Sequence, residues 1–171
     1  MSFEPSSEKY LMKNRQHTLF KSALALIAVF FAIAVHAQGL DKAVVQKLVQ
    51  SKNFVFKAQT ALPLTGGIRQ LTPDYEVKFL GDSVVSYLPY FGRAYSAPLP
   101  NDNGLDFTST KFEYKATQKK KGKWEIEINP KDTRDVRQMN LTVTESGYAT
   151  LQVTSDNRQS ISFDGYIVDR K

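Results

Sequence analysis

The chain contains no cysteine. Disulfide staples, thiolate nucleophiles and cysteine-ligated metals are therefore ruled out, as is a lipid anchor on an N-terminal cysteine. Histidine is almost as scarce: the two copies, His17 and His36, both lie close to the N-terminus. From residue 38 onward there is neither residue. That removes Ser-His-Asp and Cys-His catalysis, histidine acid–base chemistry, Cys/His zinc or copper sites, and haem ligation by His or Cys. No phosphate-cradling or dinucleotide-binding glycine pattern occurs. No cofactor and no metal is expected. Aspartates near Asp102, Asn103 and Asp106, and from Asp132 to Asp135, lack EF-hand spacing and read as turn residues.

Long hydrophobic runs are missing too. The longest, ALALIAVFFAIAV over residues 23–35, has 13 residues, short of the roughly 20 that a spanning helix needs. It follows a basic stretch with Lys13, Arg15, His17 and Lys21, and it precedes Val35-His36-Ala37. This is the layout of a cleaved secretory signal. Residues 1–37 are expected to be that signal, with Met12 a second candidate start, and residues 38–171 a single domain beginning at Gln38. The expected location is periplasmic or secreted, with no stable membrane anchor after cleavage.

Residues 38–171 hold 19 of the 23 basic and 15 of the 17 acidic residues, a net charge of +4. That is moderate and gives no reason to expect nucleic acid as a partner. Aromatics are plentiful, with seven Phe, seven Tyr and the single Trp in this part. Without disulfides the domain must rest on its core, where each fully buried large apolar side chain contributes roughly 1.5–3 kcal/mol.

Leu40, Val44, Val45, Leu48 and Val49 make one apolar helical stripe, so a helix is expected over residues 41–51. Period two then takes over. Strands are expected over residues 53–60, 75–80, 83–88, 106–117, 124–129, 138–144, 148–154 and 159–168, with a short one near 68–72. Gly81-Asp82 is a two-residue hairpin loop. It pairs Phe79 with Val84, Val77 with Ser86, and Glu76 with Tyr87. A three-residue loop at 145–147 puts Gly147 in the left-handed position and pairs Val143 with Ala149, Leu141 with Leu151, and Met139 with Val153. Gly165 marks a bulge. The fold class is α+β, mainly β: one N-terminal helix packed on a curved antiparallel meander sheet of about eight strands, open-barrel or sandwich-like.

The chain then offers one long connection. Residues 83–88 start as a strand and run into a loop with Pro89, Pro98 and Pro100. Long loops in compact domains are usually functional or disordered, and this one is too aromatic for disorder. Tyr87, Tyr90, Phe91, Arg93 and Tyr95 are the candidate ligand- or partner-binding residues, since Tyr and Arg are enriched at hot spots and Arg grips carboxylate or phosphate bidentately. The competing reading is a loop that plugs the core, with Arg93 bonded to loop carbonyls. Glu113 and Glu127 are the remote catalytic pair, on the expectation that they face each other across adjacent strands as in glycoside hydrolases. No catalytic residue is assigned and the domain is read as non-enzymatic. The lysine run Lys119-Lys120-Lys121-Gly122-Lys123 reads as a solvated hairpin tip.

The stretch VVSYLPYFGRAYSAP, together with GYATLQVTSDNRQSISFDGYI, resembles the domain of unknown function 4251 family. These are small exported proteins of Bacteroidetes-type bacteria. The resemblance spans nearly the whole of residues 38–171. It implies an exported envelope protein and carries no activity and no catalytic residues. The expected function is an exported non-catalytic envelope domain that binds an unknown small molecule or envelope protein through the loop after residue 88. The alternative is a structural or assembly-associated periplasmic protein without a small-molecule ligand. A carboxylate-based hydrolase is the remote alternative.

Overall fold

A computed structural model of the chain describes residues 39–95 and 104–170. The signal-like segment and residues 96–103 lie outside the described residues. Helix α1 spans Lys42–Ser51. Asp41 is its N-cap, and its carboxylate accepts from Ala43 N at 2.8 Å, which satisfies one of the amides every helix start leaves open. Val45, Leu48 and Val49 are buried. Val44, also on the predicted stripe, stays exposed.

Among the described residues ten strands follow: β1 Asn53–Pro63, β2 Arg69–Gln70, β3 Glu76–Leu80, β4 Val84–Leu88, β5 Leu105–Ser109, β6 Phe112–Gln118, β7 Trp124–Pro130, β8 Val136–Val143, β9 Tyr148–Ser155 and β10 Ile161–Val168. All neighbours are antiparallel, in the order β5-β4-β3-β1-β10-β9-β8-β7-β6, with β2 beside β1. The β3–β4 register matches the hairpin expectation, with Phe79 opposite Val84, Val77 opposite Ser86 and Glu76 opposite Tyr87. So does β8–β9, where Val143 faces Ala149, Leu141 faces Leu151 and Met139 faces Val153. Gly147 has φ +87°, the left-handed backbone such a loop requires.

Three features differ from a simple meander of eight strands. Strand β1 sits between β3 and the last strand, so the sheet is sealed by its first and last strands. The predicted single strand over 106–117 is two, β5 and β6, separated by Thr110-Lys111. The inward parity changes there: Leu105 and Ser109 point in on β5, whereas Phe112, Tyr114 and Ala116 pack on the core from β6. A straight strand cannot change parity. Finally, the bulge near Gly165 is in the partner strand, between Ala58 and Thr60 of β1.

The sheet rolls into a nearly closed, barrel-like form. Tyr114 on β6 meets Phe79 on β3 edge to face at 6.4 Å, although five strands separate them in the sheet order. The Tyr114 hydroxyl donates to Val49 O at 2.9 Å, tying the end of α1 to β6. Burial pushes the Tyr114 phenol well above its ordinary range. Asp132, in the β7–β8 turn, clasps the β5–β6 corner. It accepts from Thr110 N at 2.9 Å, Lys111 N at 3.1 Å and the Ser109 hydroxyl. One core runs through the interior, with Phe54, Phe56, Phe79 and Phe163 fully buried. Phe54 and Phe79 stack at 4.5 Å.

Candidate functional site

The loop after β4 is half anchor and half display. Tyr90 turns inward. Its hydroxyl lies 2.9 Å from both Arg93 O and Gln159 O, so one proton serves two carbonyls. Burial raises the Tyr90 phenol above its ordinary value, against the pull of the Arg158 charge. The Arg158 guanidinium lies over the Tyr90 ring at 5.1 Å, within cation–π range. Its Nε also reaches Asp135 Oδ2 at 2.6 Å. Phe91 is partly buried, and the guanidinium of Arg69 covers it at 4.9 Å.

Main-chain bonds complete the dock. Gln159 N donates to Arg93 O at 3.0 Å and Tyr95 N donates to Asn157 O at 2.8 Å. Ala94 forms a bridge with Arg158. The Gln159 side chain gathers a third loop, since its Oε1 lies 3.4 Å from both Thr65 Oγ1 and Arg93 N.

The five candidate residues therefore divide. Tyr90 and Phe91 follow the core-plug reading. The Arg93 side chain is exposed while its main chain does the docking. Tyr95 is 70% exposed. Tyr87 belongs elsewhere: it lies on the outer face of β4 and stacks on Tyr75 at 5.4 Å. Residues 96–103, including Pro98 and Pro100, lie outside the described residues.

A family model described as a domain of unknown function, DUF4251, matches residues 37–167. The chain belongs to the DUF4251 family. A crystal structure of a DUF4251 family protein from Bacteroides eggerthii is similar, with a TM-score of 0.60 at 17% identity, covering 78% of this chain and 90% of that one. At that identity the likeness is one of fold. No curated protein matches the chain.

In this DUF4251 domain the facing pair of glutamates is not formed. Glu113 stands opposite Asn129, and Glu127 stands opposite Lys115. The pairing is two residues away from the expected one. The lysine run makes a five-residue connection around a 3-10 turn at Lys120–Gly122 with Lys121 at φ +59°, which sets a different register. Glu113 is an exposed ion-pair partner of Lys131 at 3.2 Å. Glu127 accepts from Asn129 Nδ2 at 3.0 Å and Gln138 Nε2 at 2.9 Å. Those two amides hold its carboxyl below the usual range, the reverse of what a general acid needs. Asp132 and Asp135 are committed to the clasp and to Arg158. Among the described residues there is no cluster of three or more acidic or histidine side chains able to hold a metal.

Sequence reading missed Arg69, Arg158 and Gln159. They reach the loop only through the folded sheet, and no local pattern marks them. Among the described residues no helix is long and apolar enough to cross a membrane.

Proposed function

We propose that this DUF4251 chain is an exported, non-catalytic envelope domain that docks an envelope protein through the barrel end carrying Arg93 and Tyr95. The observation that carries this reading is what the Gln159 junction leaves outside. Leu64 is 73% exposed and Ile68 and Tyr95 are each 70% exposed, and all three sit on segments that the junction brings to one end. Arg69 and Arg93 stand among them with no carboxylate partner among the described residues. Exposed apolar and aromatic groups beside arginines that no described carboxylate neutralises suit a protein interface. The export half rests on the basic, apolar and small-residue layout of residues 13–37. Tyr90 and Phe91 hold the surface in place and do not contribute contacts to a partner.

The test is in-cell photo-cross-linking. A photoreactive residue replaces Tyr95, and in a control it replaces Asp82 in the β3–β4 turn. A discrete adduct from position 95 and none from 82 is expected, in a fraction whose mature N-terminus is Gln38. Equal labelling from both positions, or a cytoplasmic chain that retains residues 1–37, overturns the proposal.

A further inference from the structure

The sheet's outer face carries side chains in rows that pass from strand to strand. Lys115, Glu127, Asn140, Gln152 and Ser162 are successive cross-strand partners. The next row holds Thr117, Glu125, Thr142, Thr150 and Asp164. Beyond it come Tyr148, Tyr166, Lys57, Glu76 and Tyr87. All of the first two rows except Ser162 line one or other of two depressions, of about 340 Å³ and about 280 Å³, that share Thr142 and together make a groove on this face. Tyr148, 60% exposed, walls the second depression and stands directly across from Tyr166, 37% exposed.

The groove is dense in hydrogen-bonding groups and balanced in charge. Lys115, Lys119 and Lys123 line it against Glu125, Glu127 and Asp164, so the formal charges cancel. Several groups are already aimed. Glu127 is oriented by its two amide donors, and Thr150 Oγ1 donates to Asp164 Oδ1 at 2.7 Å. Each carboxylate retains acceptor capacity beyond these bonds.

We propose that this groove binds a neutral oligosaccharide. A sugar ring has a C–H face and a rim of hydroxyls. Exposed tyrosine rings suit the face, and the amides, hydroxyls and oriented carboxylates suit the rim. A polyanion would need a net positive floor, which the charge balance denies it. A peptide adding as a strand needs a sheet edge, and this groove lies on a face. The groove is separate from the Arg93–Tyr95 end, so the two sites fail or succeed independently.

The test is a screen of the full chain against immobilised neutral gluco-, manno-, galacto- and N-acetylated oligosaccharides, with heparin as the anionic comparison. Hits are then titrated by calorimetry with wild type, Tyr148→Ala, Asn140→Ala and Arg93→Ala. The expected result is binding to a neutral series that weakens about tenfold in Tyr148→Ala and in Asn140→Ala and is unchanged in Arg93→Ala. Both groove substitutions sit on the outer face, and unaltered melting curves verify the fold. No neutral oligosaccharide bound, heparin bound alone, or a neutral hit that both groove variants retain would each overturn the proposal.

Discussion

Replacing Gly165 with alanine tests how the sheet is sealed. Gly165 on β10 faces Ala58 on β1, beside the bulge. A Cβ built there lies 1.9 Å from Lys57 O, 2.9 Å from the Lys57 carbonyl carbon and 3.2 Å from Ala58 Cα. All three are backbone atoms, so no rotamer change relieves the contact. Restoring an ordinary separation from the oxygen moves the strands apart by about 1.5 Å, against a normal spacing of about 4.8 Å. Overpacking costs about 1–3 kcal/mol, and the one or two ladder hydrogen bonds stretched by the shift add about 0.5–1.5 kcal/mol each. The expected loss is about 3 kcal/mol. For a domain of this size that lowers the melting temperature by about 10 °C. Thermal and urea unfolding followed by circular dichroism would measure it. Gly67→Ala is the control, because a Cβ at Gly67 meets nothing within 4 Å. If Gly165→Ala melts within about 2 °C of wild type, the close approach of β1 and β10 is not what holds the barrel shut.

Tyr90→Phe removes the hydroxyl that two carbonyls share, and is expected to cost about 1 kcal/mol and to speed amide exchange at Arg93 and Tyr95; unchanged exchange would show that the main-chain bonds alone dock the loop. Tyr114→Phe leaves Val49 O with only the longer bond from Lys52 N, 3.3 Å, at the end of α1, with an expected loss of about 1 kcal/mol and earlier fraying of α1 in hydrogen exchange. Asp132 has its carboxyl lowered to about 2 from 3.8, first by the Ser109 hydroxyl and then by the Thr110 amide. A depressed carboxyl stabilises the fold above its unfolded value and loses that contribution as pH falls through the folded one. Asp132→Asn should therefore melt below wild type at neutral pH, with the gap closing between pH 3.8 and about 2; a gap that stays constant through that window removes the ionised clasp.

Some of this architecture is written locally. Gly81-Asp82 and Gly147 fix two hairpin registers, because a tight turn and a one-sided apolar face leave only one alignment. The family was legible in the residues around Tyr87–Tyr95 and Tyr148–Ile167. The β5–β6 corner left a trace that a reading of Phe112, Tyr114 and Ala116 alone overlooks: Leu105 and Phe107 occupy odd positions, and the later three occupy even ones. The site was only half legible. An aromatic loop announces that something is buried or bound, but Tyr90 faces inward because Gln159, 69 residues away, supplies its acceptor. The outer groove was invisible for a related reason. Asn140 and Gln152 read as ordinary exposed positions until Glu127 and Lys115 are aligned with them across the strands, and that alignment was set by the lysine turn.

The placement of β1 also bears on when the fold can form. Val55 pairs with Val168, 113 residues further along the chain. Until β10 exists, β1 and β9 each present a bare edge, and the two halves of the sheet have no ladder between them. Such non-local pairing places folding in the slow, millisecond-to-second class. A nascent or truncated chain ending before Ile161 would remain open, with two edges available for mispairing. The arrival of the last strand is therefore the step that commits the chain to its closed form.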